Sequence, residues 1–270
     1  MIRHPVVAGM FYERSESALR SQIRDLIDEA VPKEEIIGII SPHAGYIYSG
    51  QVAGAVISRM IMPDTFVIMG PNHTGMGQPY SVMAEGSWLT PLGEVEIDSA
   101  LAYKIIDSCT HLKNDASAHL EEHSIEVQLP FLQYFKPDIK IVPMVLSSGA
   151  VEIFAEIGQG IAKSIRDYGG RVAVMASSDM NHYESHQLTE EKDQKAIEAI
   201  LDMDWKELIK RVAKYNISMC GYAPTVSLIT ACKEMGATIA ELIMHQTSGD
   251  VTGDHRSVVG YAGVLIKGVI

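Results

Sequence analysis

Two rhythms of apolar residues run along the chain. Continuous apolar runs at residues 36–40, 65–69, 139–146 and 171–176 predict strands buried on both faces. Between them, apolar positions recur every three or four residues and predict helices. Leu19, Ile23, Leu26 or Ile27, and Ala30 share one helical face, with Pro32 beyond its end. Val52, Ala53, Val56, Ile57, Met60 and Ile61 share another. Ile153, Ile157, Ile161 and Ile165 form a third, stopped by Gly169-Gly170. Asp98 is placed to cap a helix through Ala102, Ile105 and Ile106. Further helices are expected over 193–201, 205–213 and 225–235, and closing strands over 238–244 and 258–266.

Other stretches are less regular. Residues 80–84 and 94–97 read as a short antiparallel pair around Gly86, Pro91 and Gly93. Pro143 predicts an edge or an irregularity in its strand. The polar stretch 111–123 reads as loop, and Ser124 as the cap of a helix that Pro130 must kink or restart. The alternation of strands and helices predicts an α/β fold, with a mixed, largely parallel central sheet and helices on both faces. No Pro/Gly/Ser-rich linker divides residues 1–270, so a single domain is expected.

Composition narrows the function classes. Apolar residues make up 47% and charged residues 21%, enough for a substantial core. The formal charge of −12 repels nucleic acid and anionic membrane, so neither is expected as a partner. No apolar stretch approaches the ~18 residues of a membrane span, and the apolar start is too short for a secretory signal. Cys109, Cys220 and Cys232 are too scattered for a disulfide framework, which suits a reducing compartment. A cytoplasmic location is expected.

The candidate chemistry gathers where strands end. His43 lies in Ser41-Pro42-His43-Ala44-Gly45-Tyr46 and His73 in Gly70-Pro71-Asn72-His73, each just after an apolar run. Asp179 and His182 follow a third run. In parallel neighbouring strands these exits share one rim, where open α/β sheets bind ligands. Cys220 precedes a helix, whose dipole favours a metal-binding thiolate. Two imidazoles and a thiolate suit Fe(II), Cu or Zn better than Mg or Ca, and leave positions open for substrate. Asp179 and His182 would then supply acid–base or supporting functions. His119-Leu120-Glu121-Glu122-His123 also fits the H-x-x-E-H pattern of a zinc peptidase class, which requires both histidines on one helical face. Here the pattern falls in a loop-like stretch.

Six blocks in fixed order carry a family resemblance: Ala8-Gly9-Met10-Phe11-Tyr12, the His43 and His73 loops, Glu122-His123-Ser124-Ile125-Glu126, Ser177-Ser178-Asp179-Met180-Asn181-His182, and Cys220-Gly221. Together they resemble the Memo family (mediator of cell motility; protein B of the AmmeMemoRadiSam system). The resemblance implies a fold like that of the class III, LigB-type extradiol dioxygenases, which are non-haem iron enzymes. It implies a pocket with His43, His73 and Cys220 as metal ligands, Asp179 and His182 as catalytic residues, and Phe11 and His123 lining it for substrate. The dioxygenases use a two-His-one-carboxylate site, so Cys220 departs from them at the third position and favours copper. The family further implies iron or copper redox chemistry, phosphotyrosine-peptide binding, and company with AMMECR1-like and radical-SAM proteins. Two functions follow as expectations: a metal-dependent, dioxygenase-like redox enzyme acting on an unknown small molecule or peptide, or a non-enzymatic peptide-binding module in a degenerate cleft.

Overall fold

The computed structural model describes residues 1–268. A two-residue strand β1 (Ile2–Arg3) and helix α1 (Glu16–Leu26) lead into β2 (Gly38–Ser41), α2 (Tyr46–Ile57) and β3 (Thr65–Pro71). Short strands β4 (Tyr80–Val82), β5 (Ser87–Thr90) and β6 (Gly93–Glu96) come next, then α3 (Ser99–Ser108) and β7 (Lys113–Asn114). Helix α4 (Leu129–Phe135), β8 (Lys140–Leu146), α5 (Val151–Tyr168), β9 (Val172–Ser177) and β10 (His182–Glu184) follow. The chain continues through α6 (His186–Leu201), α7 (Trp205–Tyr215), α8 (Tyr222–Glu234), β11 (Ala237–Thr247), α9 (Ser248–Thr252) and β12 (Val258–Gly268).

The four apolar runs lie side by side as β2-β9-β3-β8, all parallel, at the centre of a mixed sheet. Antiparallel partners flank them, β12 beyond β2 and β4 beyond β8. Side chains alternate faces along each central strand. Phe66, Ile68, Ala173 and Met175 pack with α1, α2 and α4, while Val67, Met69, Val174 and Ala176 pack with α3, α5 and α8. The helices thus cover both faces, as the α/β reading required.

Several local expectations are corrected. Residues 80–84 and 94–97 do not pair with each other. Strand β4 joins the main sheet between β8 and β7, while β6 pairs with β5 in a separate sheet completed by β1. Thr90 and Gly93 face each other across the two-residue turn Pro91-Leu92, with Gly93 at φ 123°, so the hairpin partner of β6 is the run immediately before it. Pro143 sits inside the sheet, in register with Ile68. It is tolerated because the β4 pairing stops there: the Pro143 carbonyl accepts from Met83, and the missing N–H falls at the end of that ladder. Pro130 restarts the helical course, lying in the first turn of α4 after a 3-10 turn at Glu126–Gln128. Helix α6 begins seven residues before the expected 193, at His186, and α2 ends at Ile57, before Met60 and Ile61.

Candidate metal centre and cleft

Parallel pairing brings the carboxyl ends of β2, β9 and β3 to one rim. Ser41 is in register with Ser177, and Ser178 N–H still donates to Ser41 O beyond the strands. The residues that follow therefore turn over the same edge. Phe11, His43, His73, His123, Asp179, His182 and Cys220 all line one open cleft of ≈ 1040 Å³. The rings of His43, His73 and His123 converge, with one nitrogen from each lying within 4.8 Å of the others. His73 and His123 stack at 4.7 Å, and Phe11 meets His123 edge-on at 5.1 Å.

Close approach at Gly70 makes this convergence possible. A Cβ there would stand 2.2 Å from Ser124 Oγ, so only glycine lets the 122–125 segment lie against the end of β3. Gly70→Ala is expected to cost about 1–3 kcal/mol in urea denaturation and to separate His73 from His123. An unchanged midpoint with unchanged metal uptake would show that the packing is loose.

Hydrogen bonds decide which ring nitrogens are free. Ser177 Oγ donates to Ser124 O at 2.7 Å and accepts from Gln128 Nε2 at 2.9 Å. Its single proton is used, so at 2.9 Å it must accept from His43 Nδ1–H. His43 therefore keeps its lone pair on Nε2, which lies 3.4 Å from Cys220 Sγ. His73 Nδ1 lies 2.9 Å from Glu122 Oε1, while Glu122 Oε2 accepts from the His73 main-chain N–H at 2.7 Å. A carboxylate accepts and never donates when ionised, so His73 too presents Nε2. Histidines that ligate metals are held in this way by their other nitrogen.

The electrostatics agree. Burial, then His73 and His123, hold His43 well below the usual imidazole range, in the neutral form that binds metal. Burial likewise lowers His123. Burial opposes charge on His73, but Glu122 outweighs it and raises that ring. Burial would raise Glu122, yet its bonds from His73 and the Ser124 amide bring it down to about 2. Asp179 is raised by burial, although its Oδ1 accepts from His43 N–H at 2.8 Å.

The ionisation of Cys220, though not its place in the cleft, departs from expectation. Burial pushes its thiol up, and the carboxylate of Asp179 pushes it further the same way. Burial outweighs the helix-terminus effect: the next amide, Gly221 N–H, serves Ser178 Oγ rather than the sulfur, while Asp179 N–H donates to Sγ at 3.2 Å.

His119 stays apart from the cluster. It is buried, 3.1 Å from Ser81 Oγ and edge-on to Trp88, and a 3-10 turn ends at it. The two histidines of the H-x-x-E-H pattern therefore share no helical face, and Glu122 supports His73 instead. Sequence reasoning missed Ser177 and Gln128 as supports, and Tyr261 as a lining residue.

Fold and site together define a mixed α/β protein with a histidine-lined, metal-capable cleft at the strand-exit rim. The profile of the family described as Memo-like protein matches residues 3–265. A MEMO1 family protein of Pyrobaculum aerophilum is 44% identical, with 98% of each chain covered. One from Methanothermobacter thermautotrophicus is also 44% identical, covering 97% of this chain and 99% of that one. The chain belongs to the Memo family. Among solved structures, an uncharacterized Escherichia coli K12 protein superposes with a TM-score of 0.56 at 14% identity, over 84% of this chain and 99% of that one. That likeness concerns the fold alone. No helix among the described residues is long and apolar enough to cross a membrane.

Proposed function

We propose that this protein is a metal-dependent redox enzyme of the dioxygenase-like kind, with His43, His73 and His123 holding Fe(II) or Cu. The observation that carries the reading is the paired one above: three convergent rings, two of them with Nδ1 engaged so that Nε2 is left for metal. Nitrogen ligands of this kind suit Fe, Cu or Zn rather than Mg or Ca. Cys220 Sγ, in contact with His43 Nε2, adds a thiolate once a cation favours its ionisation. Bound there, the metal would supply open positions for dioxygen or substrate and one-electron chemistry. The chain's own residues do the rest. Asp179 fixes the His43 backbone, Glu122 orients His73, and Phe11 walls the cleft beside His123. His182 stands as the acid–base group.

Anaerobic titration with Fe(II) and with Cu tests the reading. One equivalent is expected, followed by oxygen consumption in the presence of a reductant. Cys220→Ser is expected to keep the stoichiometry and change the metal preference. No uptake of either metal would end the proposal. A second reading, a binding module without turnover, is favoured by the rim, where Met10, Ile47 and Tyr183 are 70%, 60% and 78% exposed around the cleft. Peptide affinity independent of metal, with no oxygen uptake, would select it.

A further inference from the structure

The segment between β9 and α6 carries strain at an exposed residue. Tyr183 has φ 61°, and the pairing of β10 with β12 shifts register between His182 and Glu184. A left-handed conformation at a bulky residue is strained and persists only where the surroundings impose it. An irregularity of this kind re-aims the neighbouring side chain. Here the neighbour is His182, which lines the cleft.

Asn181 ties the two sides of this turn together. This residue is fully buried. Its Nδ2 donates to Glu184 Oε2 at 2.7 Å, on the far side of Tyr183. Its main-chain N–H donates to Asp193 Oδ1 at 2.9 Å, and its carbonyl accepts from Gly260 N–H at 2.9 Å. Its Oδ1 accepts from both the main-chain N–H and the hydroxyl of Ser218, each at 3.1 Å. Ser218, so oriented, grips His182 twice. Its Oγ accepts from His182 N–H at 2.8 Å, and its carbonyl lies 2.8 Å from His182 Nδ1. A carbonyl oxygen only accepts, so Nδ1 carries the ring proton and the lone pair of the neutral ring is on Nε2.

We propose that Asn181, acting through Ser218, is a positioning residue that locks His182 as the Nδ1–H tautomer and delivers Nε2 to the cleft as a base. The substrate class follows: a molecule with a dissociable O–H, S–H or N⁺–H group. The proton passes from that group to Nε2, leaving the substrate anion or free amine, and the imidazolium formed keeps its Nδ1–H on the Ser218 carbonyl. The inference rests on the metal-redox reading only for the reaction the base serves, and a failure of metal uptake leaves the tautomer untouched.

Two-bond ¹H–¹⁵N correlation spectra of the ¹⁵N-histidine-labelled full chain test it. The protein is held in diamagnetic Zn(II), about two pH units above the ordinary histidine value, and His182 is assigned by difference from His182→Gln. In the wild type the Nδ1–H form is expected to exceed the other by about fivefold or more, the share that one hydrogen bond of ordinary net strength sustains. In Asn181→Ala, with the fold checked by circular dichroism, the ratio is expected to move toward the Nε2–H form that free histidine prefers. If Asn181→Ala does not fold, Ser218→Ala is read instead, since it removes the hydroxyl's contacts with Asn181 and His182 and should move the ratio the same way. An Nε2–H ring in the wild type overturns the proposal, and so does a ratio unmoved in the folded variants.

Discussion

Glu126→Ala is expected to destabilise the protein by about 3–5 kcal/mol, because it leaves the Arg3 guanidinium buried without its counter-charge. Both side chains are entirely shielded from solvent. Glu126 pairs with Arg3 through Oε2, which also accepts from Val6 N–H at 2.9 Å. Oε1 accepts from Tyr12 Oη–H at 2.6 Å and from Val7 N–H at 3.1 Å. Arg3 in turn donates to the carbonyls of His119 and Glu122, at 3.2 and 2.7 Å, and lies over the Trp88 ring. One carboxylate thus fastens the first twelve residues, including the turn that carries Phe11, to the segment that carries His123. Urea denaturation measures the loss. Arg3→Met in the same chain is expected to recover part of it, since the buried charge is then gone. Glu126→Gln, which keeps an acceptor, should fall between wild type and Glu126→Ala. A loss in Glu126→Ala below about 1 kcal/mol would mean that water reaches Arg3 after all.

The parts of this arrangement that could be read from sequence are those whose cause is local. An apolar run followed by a polar turn places His43, His73 and Asp179 at strand exits, and parallel pairing then sets the exits on one rim. The helical face of Ile153, Ile157, Ile161 and Ile165 and the Asp98 cap are equally local, the cap accepting from Leu101 N–H at 3.1 Å. What was not legible depends on partners far apart along the chain. His73 finds Glu122 across 49 residues and His43 finds Ser177 across 134. No spacing rule spans such distances. The same holds for Cys220, where a local argument from the helix terminus loses to burial and to a carboxylate brought in by β9. The hairpin β5–β6 escaped notice for a different reason. Its two-residue turn is Pro91-Leu92, without the Asn-Gly or Gly-Gly signal that marks such turns, and the positive φ falls one residue later.

Glu122→Gln is expected to weaken metal binding by about 10–100-fold, the usual consequence of removing the group that orients a ligating histidine. The carboxylate accepts from the Nδ1–H and the main-chain N–H of His73 and from Ser124 N–H at 2.9 Å. A glutamine in its place offers one oxygen and turns an NH₂ toward one of these donors, so His73 loses its anchor while His43, held by Ser177, keeps its own. The protein without metal supplies a control through pH. Glu122 is depressed from 4.5 to about 2, so its contribution to stability is complete above 4.5 and is lost as pH falls toward 2. His73 is raised above 6.5, so its share is complete below 6.5 and is lost as pH rises through its folded value. Both shifts describe the same pair, which therefore stabilises most between about pH 4.5 and 6.5. In Glu122→Gln that maximum should flatten on both sides in urea titrations, and the titrating carboxylate on its acid side is gone. A variant that kept wild-type affinity and the wild-type pH profile would show that His73 is oriented by its stacking on His123 and owes nothing to the carboxylate.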